Sequence, residues 1–216
     1  MSGNADLVQE AVRNGVRQRA VVEAMKAVDR KFFVEQERDS LERVYLDIPL
    51  PIAEQQTTSQ PSLIASMLEA LTIQPHERAL EIGTGYGYQT ALLAVLCREV
   101  VSVERFATLA ERAAENLERC GVENVTVIQG DGGLGAPELA PFDIMIGSAA
   151  APVVPPPLAE QLSEGGRMVI PIGPGGQERV VLFRKTGGEL IEERVLTRAR
   201  YVRMIGEHTH PEHEQG

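Results

Sequence analysis

The chain is 216 residues long, 43% hydrophobic and 24% charged, enough for one substantial core but not for two full domains. A formal net charge of −10 repels polyanions unless a dense basic patch overrides it, and the four arginines from Arg194 to Arg203 are spread along an extended-looking segment rather than clustered. No apolar run approaches the roughly 20 residues that span a bilayer, so neither a nucleic-acid nor a membrane partner is expected.

In chain order, 5–28 reads as two short helices, with Val21, Val22, Met25 and Val28 at helical spacing. A polar stretch, 35–43, follows, and then 45–52, which Pro49 and Pro51 force to be extended or turning. Segment 53–59 has no apolar periodicity and reads as a loop. Pro61 suits a first helical turn and opens an amphipathic helix through Leu63, Ile64, Met67, Leu68 and Leu71.

From Arg78 the pattern changes. A strand at 78–82, a helix at 88–96, a strand at 100–103 ending on Glu104 and a helix at 107–119 closed by Gly121 follow one another. Strands at 125–128 and 142–146, a short helix at 158–162 and a strand at 168–172 continue the alternation, which is that of a doubly wound parallel α/β sheet. Segments 179–184 and 190–195 form an antiparallel hairpin, and 199–205 is a last strand. Residues 1–206 are expected to form one domain, with 1–72 a helical extension and substrate loop and 78–206 the cofactor-binding sheet. Residues 207–216 read as a disordered tail, with His208, His210 and His213 solvated and no metal site expected.

Three features fall in order at the ends of successive strands. The turn Glu81-Ile82-Gly83-Thr84-Gly85-Tyr86-Gly87 is G-x-G-x-G, letting the backbone approach a ligand and the next helix present free N–H groups. Glu104 ends the next strand, where a carboxylate can accept both hydroxyls of a ribose. Asp131, within Gly130-Asp131-Gly132, can meet an adenine amino group. Singly, each acid could as well be a cap or a solvated loop carboxylate; the set is more specific than any member.

These motifs resemble protein-L-isoaspartate O-methyltransferases. The likeness rests on Pro49-Leu50-Pro51-Ile52, Gln56-Thr57, Ser59 and Pro61, and on the run from Leu80 to Ala94 that includes Tyr88-Gln89-Thr90. Ser102-Val103-Glu104-Arg105, Gly130-Asp131-Gly132, Ala149-Ala150-Ala151-Pro152 and Arg200-Tyr201-Val202 continue it, across most of 21–205. The resemblance implies a Rossmann-like methyltransferase sheet with C-terminal antiparallel strands, and S-adenosyl-L-methionine as cofactor, released as S-adenosyl-L-homocysteine. It also implies methylation of the α-carboxylate of isoaspartyl residues in damaged proteins or peptides. By it, Ser59 is the active-site hydroxyl. Glu81, Gly83, Thr84, Gly85, Gly87, Gln89, Glu104, Arg105, Gly130, Asp131 and Gly132 hold the cofactor. Gln56, Thr57, Thr58, Ala150, Ala151, Tyr201 and Val202 meet the substrate, the alanines as a small-residue wall.

The implied chemistry asks little of acid–base groups. A substrate α-carboxylate, with a pKa of about 3.5, is already ionised at neutral pH, and a departing sulfonium needs no proton. Alignment and exclusion of water would then carry catalysis, terms worth about 7–11 kcal/mol in favourable intramolecular cases. From position alone, Ser59 would instead be an N-cap for the helix at Pro61. The chain departs from the family at Ala53 and Gln55, where glycines are usual, at Thr58, which replaces an apolar residue, and at Arg203, which replaces a proline. A related carboxyl methyltransferase acting on an aspartyl residue of a dedicated peptide or on a small-molecule carboxylate therefore stays open, as does a binding protein without turnover. With no signal-peptide pattern at Met1-Ser2-Gly3 and only Cys97 and Cys120 as thiols, a cytoplasmic location is expected; the sequence does not set the oligomeric state, a monomer being the default.

Overall fold

The computed structural model describes residues 3–35, 41–174 and 176–211. Helices α1 (Asn4–Arg13), α2 (Arg19–Ala27) and the four-residue α3 (Leu41–Val44) precede a two-stranded hairpin, β1 (Leu50–Pro51) and β2 (Thr57–Thr58), and helix α4 (Pro61–Leu71). Then come β3 (Arg78–Ile82), α5 (Tyr88–Leu96), β4 (Glu99–Glu104), α6 (Ala107–Arg119), β5 (Val125–Gln129), β6 (Phe142–Gly147) and α7 (Pro156–Gln161). Strands β7 (Leu162–Ile172), β8 (Glu178–Thr186) and β9 (Glu189–Ala199) end the sheet.

The seven strands lie in the order β5-β4-β3-β6-β7-β8-β9. Pairings from β5 through β7 are parallel, and those of β8 and β9 are antiparallel. Strand alternation sends Ala79 and Ile144 into one apolar cluster with α1, α2, α4 and α5, while Leu80 and Met145 join a second with Leu158 of α7. Both faces of the parallel strands are therefore covered, as such sheets require. The order reverses between β3 and β6, so the carboxyl ends of β3 and β6 open a crevice there.

Two ties bring the N-terminal elements over that crevice. Arg30, fully buried, donates to the carbonyls of Val44, Leu46 and Ile48 and to Thr58 Oγ1 at 2.8–3.0 Å. Arg167 forms a buried pair with Glu77 and donates to the Leu71 carbonyl, fixing the end of α4 to β7.

Three segments differ from their sequence reading. The loop 53–59 is partly a hairpin: Leu50 pairs with Thr58 and Pro51 with Thr57, around a tip where Gln56 N–H donates to the Ala53 carbonyl. Segment 200–205 is not a sheet strand, because its backbone meets only isolated partners, Arg203 bridging Ala150 and Ile205 bridging His210. Residues 207–210, expected to be disordered, form a turn in which His210 is buried; 212–216, including His213, lie outside the described residues, as do 36–40 of the polar stretch. Among the described residues no helix is long and apolar enough to cross a membrane.

Candidate active site

The crevice holds a cleft of about 600 Å³, open to solvent on one side. Gly83, Gly85 and Glu104 form its floor, and Arg105 and Phe106, which lead into α6, form one wall with Leu109. The opposite wall is Ile52, Gln56 and Thr57 of the hairpin, and Gly132 with 202–205 closes the far end. A second cavity of about 370 Å³ lies under the hairpin and contains Ser59, Thr84, Tyr88 and Gln89. The two share Thr57, Gly83, Gly85 and Ser148, so they meet at the glycine turn.

Glycine is required in that turn. Gly83 and Gly85 have φ of +89° and +57°, a region costly for other residues. A Cβ on them would lie 3.3 Å from Ser148 Cβ and 3.4 Å from Ile52 Cδ1, among the residues that line the cleft. Gly87, φ +95°, begins α5 and packs on Leu117 instead.

Glu104 accepts the Gly85 N–H at 2.9 Å and the Phe106 N–H at 3.1 Å. Burial pushes its carboxyl above the ordinary range, against the pull of these backbone donors. It lines the cleft at the end of β4, the position from which a carboxylate can meet a pair of hydroxyls. Arg105 also lines the cleft, its guanidinium 5.7 Å from the Phe106 ring centre. Beside these groups the apolar side chains of Ile52, Phe106, Leu109, Met204 and Ile205 form a slot suited to a flat base. The donor set and the glycine floor thus fit an adenosyl group.

Glu81 does not reach the cleft. It is fully buried behind the turn, accepting Gln89 Nε2 at 2.8 Å, Ser102 Oγ at 2.6 Å and Thr90 Oγ1 at 2.5 Å. Its effect on a ligand is therefore indirect: it holds the start of α5 against β4. Gln89 also donates to Ser148 Oγ at 2.9 Å, and the Thr84 and Ser102 hydroxyls share a hydrogen bond. Gly130 pairs with Glu104 through its backbone and lines neither cavity. Asp131, expected at an adenine, also lines neither; its oxygens accept the N–H groups of Gly133 and Glu207.

Ser59 is not the cap of α4. Gln60 occupies that position, and Asp47, from outside the helix, accepts the Ser62 N–H at 2.8 Å. The Ser59 hydroxyl instead hydrogen-bonds the Tyr201 phenol, which also meets Met67 Sδ at 3.1 Å. Thr58 turns its hydroxyl inward to Arg30 and to the Leu50 N–H. Ala150 and Ala151 are fully buried and so form no substrate-facing wall; their backbones bridge to Arg203 and Ile172, and Ala149 is the alanine that lines the cleft. Val202 lines the cleft as well.

Ser148, Phe106 and Tyr86 were not singled out in the sequence. Tyr86 accepts the Ala53 N–H at 3.2 Å and donates to Glu35 Oε1 at 2.6 Å, pinning the hairpin to the glycine turn. The hairpin tip is also tied across the cleft, Thr108 Oγ1 donating to Glu54 Oε1 at 2.7 Å. An apolar residue two places after a strand-end acid, as in Glu104-Arg105-Phe106, is a signal that could have pointed to a base-binding wall.

The family model for Protein-L-isoaspartate(D-aspartate) O-methyltransferase (PCMT) matches residues 1–209. The chain is 47% identical over 208 residues to the Protein-L-isoaspartate O-methyltransferase of Myxococcus xanthus (strain DK1622), covering 95% of this chain and 96% of that one. To the enzyme of the same name from Anaeromyxobacter dehalogenans (strain 2CP-1 / ATCC BAA-258) it is 51% identical over 180 residues, covering 83% and 85%. A solved structure described as a protein-L-isoaspartate O-methyltransferase superposes with a TM-score of 0.85 at 31% identity, covering 95% of this chain and 67% of that one. A putative enzyme of that name from Plasmodium falciparum, in complex with S-adenosyl-L-homocysteine, shares the fold with a TM-score of 0.83 at 24% identity, covering 95% and 99%.

Proposed function

The chain belongs to the protein-L-isoaspartate O-methyltransferase family, and from that premise we propose that the cleft and the Ser59 cavity are where its methyl donor and acceptor meet. The activity is methylation of the α-carboxylate of L-isoaspartyl residues with S-adenosylmethionine, which initiates repair. The observation that carries the assignment of parts is the junction itself. A cleft fitted to an adenosyl group adjoins, at Gly83, Gly85 and Ser148, a cavity holding a positioned hydroxyl.

When bound, S-adenosylmethionine supplies a methyl group on a sulfonium, whose departure as a neutral thioether needs no proton. Glu104 would accept ribose hydroxyls, with Phe106, Leu109, Met204 and Ile205 around the base and the glycine turn beside the amino-acid end. The substrate carboxylate arrives ionised, with a pKa of about 3.5, and needs no base. Accordingly, no His, Cys or Asp lines either cavity among the described residues. Ser59, whose hydroxyl proton goes to the Tyr201 oxygen in the free chain, turns that proton to the arriving carboxylate and orients one oxygen toward the methyl group. The hairpin, held by Tyr86 and by the Glu54–Thr108 contact, keeps water from the junction.

Damaged proteins and peptides in the cytoplasm are the partners this reading implies. One observation favours a narrower substrate: the hairpin tip carries Ala53 and Gln55 where the family usually has glycines, and Gln55 sits at a left-handed φ of 57°. The tip is then less pliable than a glycine-bearing one. Methyl transfer from labelled S-adenosylmethionine to two short peptides, identical except for isoaspartate or aspartate, tests the reading. Methylation of the isoaspartyl peptide alone supports it. If the cofactor binds and neither peptide reacts, the general repair substrate is wrong and a dedicated peptide or small carboxylate takes its place.

A further inference from the structure

The Ser59 hydroxyl depends on a residue outside both cavities. Its partner, Tyr201, stands two residues past the end of β9, where the chain leaves the sheet at Ala199. Backbone N–H groups beyond a strand end lose their ladder acceptors, and a buried one must find another. Tyr201 N–H finds a side chain, donating to Glu178 Oε2 at 3.0 Å. Glu178 is the first residue of β8 and pairs with Ala199, so its side chain catches the chain just past the last rung of the ladder.

Glu178 is fully buried, and its second oxygen, Oε1, has no hydrogen-bond partner among the described residues. A buried carboxyl group met by one N–H is a costly way to begin a strand, since an apolar side chain in the same place would leave no polar atom unpaired. Glu178 lines neither cavity, so contact with a ligand does not offset that cost. What the carboxyl does hold is the direction of Tyr201, whose N–H is fixed on one side while its phenol is set between Ser59 and Met67 Sδ on the other. The next residues are held separately: the Val202 carbonyl accepts the Ala150 N–H at 2.8 Å, and Met204 N–H donates to the Ala150 carbonyl at 2.7 Å.

We propose that Glu178 is a positioning residue for methyl transfer: through the Tyr201 N–H it sets the phenol that in turn sets the Ser59 hydroxyl. The inference rests on the role given to Ser59 above. The phenol oxygen accepts from Ser59 and so fixes where that hydroxyl waits in the free chain. The rotation that hands its proton to the substrate carboxylate starts from that point. A displacement of about 1 Å at a reacting centre can cost about 100-fold in rate, so two hydrogen bonds in series are enough to connect a buried acid to turnover. Cofactor affinity stands outside this series, because Ala150 holds 202–204 against the cleft without help from Glu178.

Glu178→Met and Glu178→Ala remove the acceptor at nearly full and at reduced volume, and Glu178→Gln restores an oxygen for the Tyr201 N–H. Each is made in the parent chain and in Ser59→Ala. Turnover on a short isoaspartyl peptide is measured with peptide and S-adenosylmethionine saturating, and S-adenosylhomocysteine affinity by calorimetry. The apolar variants should lower kcat by about tenfold, the worth of one hydrogen bond, with affinity for S-adenosylhomocysteine within about twofold of the parent. Glu178→Gln should recover most of the lost rate. In Ser59→Ala the same apolar substitutions should change kcat by less than about twofold, because the group they position is gone. Parent-like kcat in a folded apolar variant overturns the proposal, as do equal fold losses in the two backgrounds or a Gln variant no more active than the apolar ones. If both apolar variants fail to fold while Glu178→Gln folds, Glu178 is a structural prop and the proposal falls. Full activity of Ser59→Ala by itself overturns the Ser59 reading, and the proposal with it.

Discussion

The Glu81 carboxyl is the most deeply placed acid near the site, and its titration offers a sharp test of the energetics. Burial pushes its pKa from 4.5 up to about 7, while hydrogen bonds from Ser102, Thr90 and Gln89 pull it down and the charge of Glu104 adds to the rise. Below pH 4.5 the carboxyl is protonated in both the folded and the unfolded chain, and it makes no difference to stability. Between 4.5 and 7 the folded chain holds a proton that the unfolded chain has released, so stability falls as pH rises, by about 1.4 kcal/mol per pH unit. Above 7 the loss is complete and the curve flattens. Because the sequence pI is 5.0, the practical window runs from about pH 5.5 to 8, over which Glu81 should cost about 2 kcal/mol.

Glu81→Gln isolates this contribution. The carboxamide has nearly the same shape, its oxygen can still accept Gln89 Nε2, and the Ser102 and Thr90 hydroxyls can rotate to accept from its NH2 group. Urea unfolding of both chains at several pH values gives the difference directly. The stability of Glu81→Gln relative to the parent should grow by about 2 kcal/mol from pH 5.5 to 7 and then hold constant. Parallel pH profiles for the two chains would refute the argument that a buried, triply hydrogen-bonded carboxylate still carries a net desolvation cost.

Other outcomes follow from single contacts. Ser59→Ala should leave S-adenosylhomocysteine affinity within about twofold and lower turnover on an isoaspartyl peptide by about 10- to 100-fold, the range for one hydrogen bond to an anion; full activity would show that Ser59 only braces Tyr201. Gln55→Gly should relieve about 1 kcal/mol of left-handed strain, offset in part by the entropy of glycine in the unfolded chain, for a net gain near 0.5 kcal/mol and about 1–2 °C in melting temperature. A lower melting temperature would mean that the strain reading is wrong. Tyr88→Phe deletes a buried hydroxyl with no hydrogen-bond partner among the described residues and should stabilise the free protein by about 1 kcal/mol in urea unfolding; destabilisation would show that the hydroxyl is satisfied.

Helices α5 and α6 keep the bounds read from the sequence because local signals agree there. Gly87 and Gly121 flank them, and their apolar residues recur at helical spacing. The glycine turn and Glu104 were legible for a related reason, since a motif at a strand end fixes its own surroundings. Glu81 was less so. Both faces of a parallel strand are buried, and alternation alone does not say which face carries the ligand. Ala150 and Ala151 looked like a wall because small residues leave room, but backbone fills that room, 202–204 beside Ala150 and 171–173 beside Ala151.

Residues 204–210 show a harder limit. A tail reading rests on side-chain polarity, which predicts disorder where too little apolar surface is available for burial. The turn, however, is held largely by backbone groups: Met204, Gly206, Glu207 and His210 each donate an N–H to an oxygen. Every residue except proline carries that donor, so composition cannot reveal it. What the sequence does carry is its counterpart, an acid set among glycines, Gly130-Asp131-Gly132-Gly133, and Gly206 facing it. A strand-end acid flanked by glycines can serve a ligand, but the same openness admits another stretch of the chain's own backbone. At Asp131 the second has happened: Gly133 beside it and Glu207, 76 residues further along the chain, each donate an N–H to the carboxylate, and it lines neither cavity.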